Sequence, residues 1–350
     1  MEKSKQKGRW KLLAVILVCA SPAWINVKSD PTTHETIDYV RRKIVRDRAR
    51  IALYVSGDWH HYARYEDSGS EPEQRVTLGL GGAFLHPTHH LPNHIDLIDK
   101  RDGKTSHLTR KARWPSTDQS RWRSLLVVFL APLNPVFALF MGFVQFGFAW
   151  LVQAGTRRPD QSVRGALSGI NMRGIIDGLV RSPLALLLAI AMVVAFTIFA
   201  KPAKPSRALL SRLVGGLHGA AQVALAAPVV YLAKDVPGSG LMYGLSFAGA
   251  VVLLGGFMSA TLVGWYFLVT HTLLGMHDNE AFSALRLRSF KGFVRCHIAA
   301  SGDLTLYPIG IPQVRSRRWR LNSLALPGTS WFSRPVDVRP ILIEPPVDVR

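Results

Sequence analysis

Two short stretches carry side chains that bind metals and move protons. The first is "YVSGDWHHYARYE", Tyr54 to Glu66, in which an apolar run ends at Ser56-Gly57 and then delivers Asp58, His60 and His61. The second is "GGAFLHPTHH", which follows an apolar run from Arg75 to Leu80 and places His86, His89 and His90 behind Gly81 and Gly82. A carboxylate oxygen beside imidazole nitrogens is a mixed donor set that suits Zn, Mn or Fe. Glycine lets a backbone approach an ion or a phosphate closely. A single histidine such as His34, His94, His107 or His218 reads more simply as a hydrogen-bonded or surface residue. The two groups together point to a site with Asp58, His60, His61, His86 and His89 as candidate metal ligands, and one or two divalent ions as its cofactor.

These side chains need a scaffold. Leu12 to Ala20 is an apolar run of strand length, too short to span a bilayer. Its basic start and the small residues after it also fit a signal peptide. Ile37, Val40, Ile44 and Ala49 then recur at helical spacing, and Ile51 to Val55 forms a second short run. Strand, helix, strand is a βαβ pattern, so Leu12 to Ala20 is read as a strand rather than a signal. Ligands gather at the carboxyl ends of strands in parallel α/β sheets, where both histidine loops fall.

The paired motifs "SGDWHHYARYE" and "GGAFLHPTHHLP" resemble the later part of a calcineurin-like metallophosphoesterase, in a branch with a membrane region after the catalytic domain. "HDNEAFSALRLRSFKGFVRCHIAASGDLTLYPIG" is similar to the tail of that branch. The resemblance implies hydrolysis of phosphate esters by a dinuclear metal centre that clamps the phosphate and activates a bound water. It places Gly57-Asp58-Trp59-His60 on the family's Gly-His-x-His motif, with His60 on the second histidine and Asp58 in place of the first. Ser21, or a neighbour, stands where the family often has another histidine ligand. The family's early motifs, Asp-x-His, Gly-Asp-x-x-Asp and Gly-Asn-His, have no counterpart before Leu12. The expectation is therefore a fragment, a truncated gene product or the second half of a split gene, poorly active or inactive as this chain alone, acting by itself or with a separately encoded N-terminal half. A non-catalytic membrane protein or scaffold is the alternative.

The rest of the chain is apolar. Across 350 residues the mean hydropathy is +0.14 and only 19% of residues are charged, yet the net charge is +20. Long apolar runs with basic segments between them fit cytoplasmic loops better than nucleic-acid binding. Cys19 and Cys296 fit no CxxC pattern, which argues against a disulfide scaffold or a thiolate zinc site. Spans are expected over about 125–152, 183–200, 213–233 and 244–272, the first kinked near Pro132 and Pro135. Ile170, Ile175, Ile176 and Leu179 predict an interfacial amphipathic helix among the arginines of 153–182.

The domain plan is thus a partial α/β phosphoesterase sheet (1–122), a helical transmembrane bundle of about four spans (123–275) and a small β-rich cytoplasmic domain (276–350). The lipid partner is the inner or plasma membrane, with both termini cytoplasmic. In the last domain, Ser301-Gly302-Asp303 signals a hairpin, "ILIEPPVDV" a closing strand, and "RSRRWR" a headgroup contact or a solvated loop. His218 and Gln222 lie one helical turn apart inside a span, where an interhelical hydrogen bond is the simplest reading.

Overall fold

The computed structural model describes residues 14–27, 30–45, 49–69, 72–98, 103, 105–168, 170–202, 205–314, 320–323, 326–327, 329, 332–333 and 339–349. The start of the first expected strand, at Leu12 and Leu13, and "RSRRW" of the basic run lie outside these residues. The chain forms two compact units, one of residues 1–121 with 287–350 and one of residues 122–286.

The first unit is built on a mixed sheet of β1 (Ala14–Cys19), β2 (Arg50–Ser56), β3 (Tyr62–Asp67), β4 (Gln74–Leu78), β5 (His94–Ile98) and β6 (Thr105–Trp114). The order is β1-β2-β4-β3-β6-β5. β1, β2 and β4 run parallel, and β3, β6 and β5 continue the sheet antiparallel. The crossover between β1 and β2 is not the regular helix that the spacing suggests. It is a one-turn helix α1 (Glu35–Tyr39) that runs on as a π turn over Val40–Val45. Ile37 is the apolar anchor it buries, while Ile44 stays exposed. Trp24, Ile51, Tyr54, Tyr65 and Leu108 form the core beneath one face of the sheet. β1 lies at the sheet edge, with Ile16 47% and Val18 71% exposed.

The sequence sets 276–350 apart as a domain, whereas residues 287–350 join the N-terminal sheet in one unit. β7 (Ser289–Ile298) and β8 (Leu304–Gln313) form the hairpin that Ser301-Gly302-Asp303 signals. β9 (Arg320–Leu321) pairs with β10 (Phe332–Ser333). The closing stretch makes two short strands rather than one, β11 (Ile341–Leu342) and β12 (Val347–Val349), both paired with β8. The tie to the first sheet is chemical as well as apolar. Arg64 on β3 holds Glu344 through Nε and Nη2 at 2.9 and 2.7 Å, and Tyr62 donates to the same carboxylate at 2.5 Å. Trp114 packs edge-on against Phe290.

The second unit is helical. α2 (Thr117–Leu125) leads into it, and α3 (Leu130–Leu133) ends before Asn134. The expected kink near the prolines is a complete break. Asn134 accepts from the Phe137 amide to cap α4 (Pro135–Thr156), and Pro135 sits at the first turn, where its missing N–H costs nothing. The first span therefore starts at Pro135, not near Leu125. α5 (Val163–Leu167) precedes α6 (Met172–Arg181), which meets α7 (Pro183–Phe199) at 89°. α8 (Ala208–Ala224) passes to α9 (Ala226–Ala233) at Leu225, and α10 (Gly240–Val269) is followed by α11 (Asp278–Ala284). Among the described residues, three helices are long and apolar enough to cross a membrane, Pro135–Gly155, Pro205–Ala233 and Gly240–Leu274, or four if the bent pair counts as one. Of the residues expected to meet lipid, Ile175 is instead buried against the bundle while Ile176 is exposed, and α6 lies across the axis of α7.

Candidate functional site

Parallel pairing of β2 with β4 brings their carboxyl ends to one edge of the sheet, and with them both histidine loops. Asp58 sits in the turn after β2. Its backbone amide, with that of Gly57, donates to the Ala20 carbonyl at the end of β1. The Ser21 hydroxyl donates to Asp58 Oδ2 at 2.9 Å. The serine that replaces an expected histidine thus serves the aspartate.

His60 and His86 meet directly. The His86 amide donates to the His60 carbonyl at 3.2 Å, and the His60 amide donates to the His86 ring at Nδ1, 3.1 Å away. Their rings stack with centroids 4.7 Å apart and planes 11° apart, and Phe84 packs edge-on against both. His61 is fully buried, with neither ring nitrogen partnered among the described residues, and His60 Nδ1 is likewise buried without a partner. Burial, reinforced by His86 and His60, pushes the His61 imidazole down to about 3, and burial with His60 beside it pushes His86 down to about 4. Both rings are therefore neutral at pH 7.

His89 and His90 go elsewhere. Their rings lie 4.1 Å apart, and His89 Nδ1 contacts the Ser120 hydroxyl at 2.7 Å, next to a Thr88 amide that bonds the same hydroxyl. The glycines act differently from the close approach to a ligand that the sequence suggests. A Cβ on Gly82 would fall within the His60 ring, and one on Gly79 would strike the Trp59 carbonyl, while Gly81 has open space around it. These glycines admit the histidine loop itself. Lys291, on β7, was not foreseen. Its ammonium donates to the Gly82 carbonyl, and burial pushes its pKa down. Nothing in the local sequence marks it, because the long-range hairpin brings it there.

These residues do not fit a two-metal centre as they stand. Imidazole ligands hold an ion in the ring plane at ~2.0–2.1 Å. Two near-parallel stacked rings cannot both aim at one ion. A histidine that binds through Nε2 carries its proton on Nδ1, yet His86 Nδ1 accepts a backbone N–H. Among the described side chains of the two histidine loops, only His60 Nδ1 and His61 offer buried, uncommitted nitrogens, and Asp58 is shared with Ser21. No family model, curated protein or solved structure matches the chain.

Proposed function

We propose that the chain is a membrane-anchored protein of the metallophosphoesterase type, whose histidine edge is a partial metal site and does not by itself hydrolyse phosphate esters. One observation carries this reading. Two strands deliver Asp58, His60, His61 and His86 to one sheet edge, but the His60 and His86 rings stack face to face and His86 Nδ1 is taken up by the His60 backbone amide. In-line displacement by two metals needs a carboxylate bridge and converging ligands. A divalent ion bound here would act as a Lewis acid on a phosphate oxygen. His60 and His61 would hold it, Asp58 would offset its charge, and Lys291 would face the phosphate as a cation.

The remaining ligands come, in this reading, from a partner protein that docks on β1. The exposed Ile16 and Val18 are the apolar surface such a partner would cover. The bundle anchors the assembly in the inner or plasma membrane, with both termini cytoplasmic, as the basic segments flanking the spans favour. Electron paramagnetic resonance of the detergent-purified chain titrated with Mn²⁺ tests the proposal. A weak mononuclear signal that His60→Ala removes is expected, and an exchange-coupled manganese pair would overturn it.

A non-catalytic scaffold is the second reading. The bond from the His60 amide to His86 Nδ1 favours it, since it uses a candidate ligand as a structural acceptor.

A further inference from the structure

The helical unit buries a polar cluster that packing alone does not explain. Gln145 on α4 and Gln222 on α8 are both 0% exposed. Gln145 Nε2 donates to the Gln222 carbonyl at 3.0 Å and to Ser259 Oγ on α10 at 2.9 Å. Gln222 Nε2 donates to the Ser259 carbonyl at 3.2 Å and meets His218 Nε2 at 3.3 Å. Both carboxamides are oriented by backbone carbonyls, which accept and cannot donate, so exchanging oxygen and nitrogen would set oxygen against oxygen. That orientation leaves Gln145 Oε1 and Gln222 Oε1 buried with no donor among the described residues. A buried acceptor with no donor is destabilising, and here two share one cluster.

The surrounding helices are shaped around it. Gly255 lets α10 approach this point, since a Cβ there would lie 2.8 Å from the Gln145 Cβ. α4, α8, α9 and α10 contain no aspartate or glutamate.

We propose that Gln145 Oε1, Gln222 Oε1 and Ser259 Oγ form a site for a monovalent cation, sodium by size and hardness, among α4, α8 and α10. Neutral oxygens suit one positive charge, whereas a divalent ion would find no carboxylate to compensate it. His218 closes one side of the cluster, stacked on Tyr266 at 4.3 Å, and Tyr266 in turn meets His277 Nε2 at 2.9 Å. That row of polar side chains leads from the cluster to the end of α10.

Binding of radioactive sodium to the full chain in detergent, read by scintillation proximity, tests the site. The expected result is saturable binding that unlabelled NaCl displaces and choline chloride does not. Gln145→Leu and Gln222→Leu should each weaken it by about tenfold or more, and Ser259→Ala, which removes one hydroxyl, should weaken it less. The wild-type unfolding temperature should also rise in NaCl over choline chloride at equal ionic strength, because a ligand of the folded state stabilises it. That comparison needs no variant to fold. Two results overturn the proposal. One is wild-type protein that shows neither displaceable sodium nor a sodium-specific thermal shift. The other is a monodisperse Gln→Leu variant that binds as well as the wild type.

Discussion

Gly82 shows how a residue chosen for one reason on paper serves another in space. Its lack of a side chain makes room for the His60 ring, which then stacks on His86. Gly82→Ala should therefore force the ring out and cost about 1–3 kcal/mol, as overpacking does. Amide hydrogen exchange over 57–62 and 82–88 checks this, and unchanged protection would refute the role. His34 gives a second residue-scale test. It lies against Asp38 Oδ1 at 3.1 Å and Arg75 at 3.4 Å. Burial, followed by the charges of Arg75 and Arg41, pushes its pKa down to about 4. An unfolded histidine titrates near 6.5. Between about 6.5 and 4 the unfolded segment takes up a proton that the folded one refuses. Stability is then full above 6.5 and falls with acid, by at most about 1.4 kcal/mol per pH unit. Hydrogen exchange over 30–45 should quicken on acidification beyond its intrinsic pH dependence, and His34→Gln should remove that excess.

At the scale of elements, a buried ion pair ties β3 to the segment joining β11 to β12. The Arg64 and Glu344 side chains are 10% and 11% exposed and meet in a two-point bond. Removing one partner strands the other charge, so Glu344→Ala should loosen the tie by about 3–5 kcal/mol. Limited proteolysis near the C-terminus should then release 341–349 in the variant and spare the wild type. An equal rate in both would contradict the assignment. The sequence foretold the local part of this architecture. The run 51–55, the turn at 301–303 and the apolar spans each announce themselves by a period or a turn residue. Pairing of Glu344 with Arg64, and delivery of Lys291 to Gly82, depend on contacts more than 200 positions apart that no local pattern encodes. The split of the histidines was hidden for the same kind of reason. His86 follows the sheet edge, whereas His89 is drawn to Ser120 on α2. The break at Asn134 was half legible, since the prolines signalled a bend but not a cap.

At the scale of the molecule, a mixed sheet with its closing hairpin and a helical bundle are two units of one chain. Four spans would leave both ends on one side of the membrane, so reporter fusions after Asp235 and at the C-terminus should fall on opposite faces. A shared face would refute that count. The central claim is that the histidine edge of this chain is not a complete hydrolytic centre. Its most direct test is turnover of a chromogenic phosphodiester by the purified full chain in detergent, with Mn²⁺ or Zn²⁺, beside His60→Ala. The account predicts that wild type and variant hydrolyse it at the same background rate. Robust turnover by the wild type, abolished in His60→Ala, would contradict it and show that His60 belongs to a working site.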